Sequence, residues 1–259
     1  MQSIPDNLKP PFTDLLLAIA DDKLMLGHRN SDWTGLGPIL EEDIAFSSLA
    51  QDEIAHASAF YELAGELLGT SSDDLAFGRT PEEYRCAAIV EVPDDFDWAS
   101  AICRQFFCDE YDMLRLKRMT ISNYTPLANL AGRILAEEQV HIEHSEEWVV
   151  RLGRGTDEAR QRMQKAIDRL APIALWLFEP FDGLKSLIDA GLYPGSDFDM
   201  YDTWTTRIQD ILEKAELTMH VEIGEPDDKG GRRGVHTEHF EPLLNEMCEV
   251  YRIEPGVAW

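Results

Sequence analysis

The chain has few cysteines, little positive charge and no long uncharged apolar run. Its four cysteines, Cys86, Cys103, Cys108 and Cys248, form no C-x-x-C pair, which excludes the common thiolate metal knuckles and a disulfide-stapled small fold. Cys103 and Cys108 stand five apart on one helical stretch and do not suit a shared ion. All four read as reduced, mostly buried thiols. Lys and Arg number 23 against 49 Asp and Glu, a formal charge of −26 that repels phosphate backbones and anionic lipid alike, so neither nucleic acid nor a membrane is an expected partner. No segment has the uncharged length of a membrane span. The polar, proline-bearing stretch Met1 to Pro11 lacks the basic-then-apolar order of a secretory leader, so the expected compartment is the cytoplasm. Strands are missing too, because nothing shows period-two alternation, and no repeat of fixed length appears.

What remains is helix after helix. Phe12 to Gly27 carries Leu15, Leu16, Ile19, Leu24 and Leu26 in an apolar pattern around Asp21-Asp22, and the run from Arg29 to Pro38 breaks it. Ile39 to Leu68 places Ile44, Leu49, Ala50, Ile54, Ala57, Phe60, Tyr61 and Leu67 at helical spacing and stops at Gly69. Trp98 to Thr120 and Pro126 to Leu152 give a third and a fourth helix, with Pro126 suited to a first turn. Beyond them, Thr156 to Glu179, Trp204 to Leu217 and His236 to Tyr251 read as further helices packed outside the four. The expectation is one all-α domain over residues 1–259, a core four-helix bundle over about 12–152 with a C-terminal helical extension over about 156–259.

Two Glu-x-x-His steps carry the chemistry, Glu53-Ile54-Ala55-His56 and Glu138-Gln139-Val140-His141. A Glu and a His three apart share one helix face and can aim a carboxylate and an imidazole at one point. With Asp22 from the first helix and Glu110 from the third, they match the ligand list of a dinuclear carboxylate site in a four-helix bundle. Asp22 precedes Glu53 by 31 positions and Glu110 precedes Glu138 by 28, spacings that let antiparallel helices meet at one level. In this reading Glu53 and Glu138 bridge two ions, His56 and His141 cap one each, and Asp22 and Glu110 are terminal ligands. Two iron ions suit that donor set, and manganese suits it as well. Asp21 competes with Asp22, Glu42 lies near the face of Glu53 and serves equally as a supporting acid or a surface residue, and His144 reads as structural. The same residues also suit a buried hydrogen-bond network without metal.

The runs Leu26-Gly27-His28-Arg29-Asn30-Ser31-Asp32-Trp33 and Pro38-Ile39-Leu40-Glu41-Glu42-Asp43-Ile44-Ala45, the block Gly230-Gly231-Arg232-Arg233-Gly234-Val235-His236-Thr237-Glu238-His239-Phe240, and the ending Pro255-Gly256-Val257-Ala258-Trp259 together resemble the PaaC-type subunits of the phenylacetyl-CoA epoxidase family. The resemblance implies a ferritin-like subunit of a ring-epoxidising monooxygenase complex. It also implies a homologous catalytic PaaA-type partner, a reductase component drawing on NADPH, and a CoA thioester substrate. In that family this type of subunit is regarded as structural, its metal ligands lost, whereas this chain retains Glu53, His56, Glu110, Glu138 and His141. Three readings follow: a subunit holding its own dinuclear site, a metal-free scaffold, and a stand-alone diiron oxidase or ferroxidase. The basic run Lys229 to Arg233 suits CoA phosphates, an acidic partner surface or a solvated turn. His236 and His239 read as packing and capping residues, and Trp33, Trp98, Trp148 and Trp259 as core or interface anchors.

Overall fold

Proline and glycine punctuate the chain where the apolar periodicity stops, and the helices run between them. A computed structural model describes residues 4–195, 197–220 and 230–254. Lys229 and the ending Pro255 to Trp259 lie outside the described residues. The helices are α1 (Lys9–Ser31), α2 (Leu40–Leu68), α3 (Ser72–Phe77), α4 (Ala88–Glu91), α5 (Trp98–Met119), α6 (Thr125–Gly153), α7 (Asp157–Ala174), α8 (Leu184–Asp189), α9 (Asp197–Ala215), α10 (Phe240–Met247) and α11 (Glu249–Ile253). No strand occurs among the described residues, and none of their helices is long and apolar enough to cross a membrane.

Packing divides the chain into two compact units. One takes in the chain up to Pro93, Glu179–Leu184 and the C-terminal segment, and the other takes in the chain from Asp94 to Phe178 and from Lys185 onward. In the first unit α1 lies along α2. Pro10 and Pro11 sit in the first turn of α1, where their missing N–H groups cost nothing. Glu41, Glu42 and Asp43 place negative charge at the positive end of α2, and Gly69 closes that helix in the left-handed conformation at φ 73°. The helices touch at Gly27, where an added Cβ would come within 2.8 Å of Ile54 Cγ1 and 3.0 Å of the Ala50 carbonyl. The C-terminal segment packs against the loop between α3 and α4 at Gly234, whose φ of +80° and 2.0 Å from an added Cβ to the Glu82 carbonyl admit only glycine.

In the second unit α5 and α6 form the central pair, with α7 and α9 against both. Asp97 caps α5 by accepting from the Ala99 N–H, and Thr156 caps α7 by accepting from the Ala159 N–H. Aromatic rings fill the space between α5 and α9: Phe178 meets Tyr111, Tyr201 and Trp204 edge-on at 5.0, 5.2 and 5.5 Å. The Trp204 indole donates to the Phe107 carbonyl at 3.1 Å. Trp98 and Trp148 stack edge to face at 5.4 Å. All four cysteines are buried and unbridged.

Candidate metal centre and its buried charges

Three consecutive charged residues, Asp21, Asp22 and Lys23, are buried in the middle of α1. A buried charge requires a partner, and each of the three has a different one. Asp21 accepts from the Tyr61 hydroxyl, from both terminal nitrogens of Arg79 and from the Arg85 N–H. Asp22 accepts from the Ala87 N–H and from Arg232 Nη1, each at 2.8 Å. Lys23 donates to Glu53 Oε2 at 2.8 Å, with both side chains wholly buried. Helical rotation of about 100° per residue sends the three side chains in three directions.

Asp22 is therefore engaged by Arg232, and the α1 side chain that meets Glu53 is Lys23. His56, one turn beyond Glu53, is buried as well. Arg232 also donates to the Arg85 carbonyl at 2.8 Å, so this member of the basic run is a buried clamp and is neither a phosphate contact nor a solvated turn. Arg233, in contrast, is exposed, its Nε 3.9 Å from Asp182.

In the second unit Asp109, Glu138 and His141 are buried together, each offering a donor atom within 4.8 Å of the others'. The α5 residue in this group is Asp109, where the sequence singled out its neighbour Glu110. Asp109 Oδ1 accepts from Gln105 Nε2, one turn earlier, and Oδ2 accepts from the Ser145 hydroxyl at 2.8 Å. Glu110 points to α9, where the Arg207 guanidinium donates to both of its oxygens. Two signals in the sequence lead to these residues. A lysine inside a run of buried positions needs an acid about as far along α2 as Glu53, and Gln105 with Asp109 forms an i, i+4 pair.

Arg207 also reaches Glu146 at 3.4 Å, so two carboxyls share one guanidinium. Burial first, and a hydrogen bond with Glu110 second, push Glu146 up to about 7. A carboxyl that titrates higher folded than unfolded contributes its full stability below its unfolded value and loses it as pH rises through the folded one. For Glu146 that window runs from 4.5 to about 7. Glu146→Gln is expected to unfold at the wild-type temperature near about pH 5 and above it near about pH 8. Thermal unfolding of both proteins across that range checks it, and a constant difference between them contradicts it.

The sequence matches a family model described as phenylacetic acid catabolic protein over residues 1–259. It is 31% identical over 249 residues, 96% of this chain and 99% of the relative, to the C component of the 1,2-phenylacetyl-CoA epoxidase of Escherichia coli K12. Against the A component of the same epoxidase it is 25% identical over 151 residues, 58% of this chain and 48% of that protein. The all-α architecture is that of a ferritin-like fold. With the match running from the first residue to the last, the chain belongs to the phenylacetic acid catabolic protein family that joins the PaaA-type and PaaC-type subunits.

Proposed function

We propose that this chain is the C-type subunit of a cytoplasmic phenylacetyl-CoA epoxidase complex, a scaffold that pairs with the homologous A-type catalytic subunit and holds no iron pair of its own. In this reading the A-type subunit epoxidises the aromatic ring of the CoA thioester with electrons from a reductase. Near full-length similarity to a C-type component, and part-length similarity to an A-type component, support the pairing of two related chains.

The metal-free part rests on Lys23. A dinuclear carboxylate centre needs bridging acids whose oxygens are available to the ions, in surroundings that attract positive charge. Here α1 delivers an ammonium to Glu53, at 2.8 Å and out of water. Asp109 has a protein donor on each oxygen, and Asp22 and Glu110 are matched by arginines. In this reading the donor set of Asp22, Glu53, His56, Glu110, Glu138 and His141 serves a buried charge network in place of two iron or manganese ions. Of the two uses of these residues, the charge balance favours the network without metal.

The test is to co-express the chain with an A-type partner under iron supplementation and to compare wild type with Glu138→Gln in this chain alone. The expected result is a complex with the same iron content and the same epoxidation rate in both. Iron at about two per C-type chain that disappears in Glu138→Gln would overturn the reading.

A further inference from the structure

Apart from the residues aligned with the Glu-x-x-His steps, the first unit holds a second set of donors with a different chemistry. Cys86 stands two residues before α4, Glu91 is the last residue of that helix, and His236 comes from the segment that follows the Gly230–Gly234 turn. The Cys86 thiol lies 3.6 Å from Glu91 Oε1 and 3.8 Å from His236 Nδ1, and His236 Nδ1 lies 2.7 Å from Glu91 Oε1. Cys86 and Glu91 are fully buried, and the His236 side chain is 6% exposed.

We propose that Cys86, Glu91 and His236 form a mononuclear site for a borderline divalent cation of the zinc type, with three protein ligands and a fourth position open to water. The donor types agree with such an ion: one thiolate, one imidazole and one carboxylate are the ligands that tetrahedral zinc takes. So do the distances. With metal–sulfur bonds of about 2.3 Å and metal–nitrogen or metal–oxygen bonds of about 2.0–2.1 Å, the edges of a tetrahedron from sulfur are about 3.6 Å. The two sulfur distances, 3.6 and 3.8 Å, lie within about 0.2 Å of that length, and the main adjustment is that the His236–Glu91 hydrogen bond opens by about 0.6 Å to admit the ion.

The ligands are held in place by their own neighbours. Glu91 Oε2 accepts from the Thr237 N–H at 2.7 Å, which turns Oε1 toward the thiol and the imidazole. The Glu91 carbonyl accepts from Arg29. The His236 ring is stacked on Phe240 with centroids 3.8 Å apart. Such contacts fix ligand orientation before a metal arrives. His236 Nε2 is buried with no hydrogen-bond partner among the described residues, so they do not dictate from the far side of the ring which nitrogen carries the proton, and Nδ1 can present its lone pair.

The proton balance is simple. Burial, with Glu91 next, pushes the Cys86 thiol well above its ordinary value, so the metal-free site holds a protonated thiol. Binding transfers that proton to solvent and forms the metal–sulfur bond, while His236 moves its N–H from Nδ1 to Nε2. One proton is released per ion, and affinity rises with pH.

Cobalt(II) is the probe, titrated into chelator-stripped full-length protein with all thiols reduced. The expected result is a thiolate-to-cobalt charge-transfer band that saturates at about one equivalent and is bleached by zinc. The band should be lost in Cys86→Ser, weakened at least about ten-fold in affinity in Glu91→Gln, and kept in Cys103→Ser and Glu138→Gln. A wild-type spectrum without a thiolate band overturns the proposal even if the variants fail to fold, and so does a band that survives in Cys86→Ser. Retention of the band in Glu138→Gln separates this site from the acids on which the proposed function rests.

Discussion

Lys23→Met is expected to lower stability by about 3–5 kcal/mol, because it leaves the Glu53 carboxylate buried without its ammonium. At roughly 2–4 °C per kcal/mol for a chain of this size, the thermal midpoint should fall by about 10 °C. The double variant Lys23→Met, Glu53→Gln removes the stranded charge and should recover most of the loss, since an apolar or neutral replacement of a whole buried pair is often close to neutral. A double-mutant cycle on urea unfolding measures the coupling. If the single variant stays within about 1 kcal/mol of wild type, the pair is not the buried contact described here.

Arg232→Ala should be of similar size, about 3–5 kcal/mol, for the same reason, since it leaves the Asp22 carboxylate buried without its guanidinium. The Ala87 N–H remains to Asp22, which places the effect toward the lower end. Arg232→Lys should not rescue it. Arg232 Nη1 serves Asp22 and the Arg85 carbonyl at once, and a lysine side chain, one bond shorter, ends before the position of that nitrogen. Because Arg232 ties the C-terminal segment to α1, the variant should also be clipped there under limited proteolysis while α5 and α6 stay protected. An unchanged cleavage pattern together with an unchanged midpoint would remove the clamp from the account.

The long helices were legible because their apolar spacing is interrupted by Pro38, Gly69 and Pro126. Expected and observed limits agree within a residue for the helices that begin near residues 39, 98 and 126. The helix expected over Thr156 to Glu179 becomes α7 and a 3-10 turn, Leu175–Phe178, and the last helix divides at Cys248. α3 and α4 are too short to show a period. α9 starts at Asp197, seven residues before Trp204, because Met200 and Tyr201 are buried under neighbouring rings.

The rotation of α1 and α5 could not be read at the same resolution. α1 is buried on nearly every side of its central turns, and in α5 the neighbours Asp109, Glu110 and Asp112 are all buried. Without a solvated face to fix the phase, Asp22 and Lys23, or Asp109 and Glu110, are interchangeable in the pattern, although one step turns a side chain by about 100°. The α2 and α6 steps carry their own phase, since Glu53 and His56, and Glu138 and His141, are buried between exposed neighbours such as Ala55 and Val140. The buried role of Arg232 depends on an acid 210 positions earlier, a pairing that no local pattern announces.

The order in which those partners are synthesised has its own consequence. As the chain leaves the ribosome, Lys23 meets Glu53 after 30 residues and Asp21 meets Arg79 after 58, but Asp22 waits 210 residues for Arg232. Until then α1 cannot be enclosed with the Asp22 charge balanced by its guanidinium. The nascent chain therefore keeps its first helix unsealed through most of translation, exposed to chaperones and proteases, and closure of the first unit is deferred to the moment its last segment arrives.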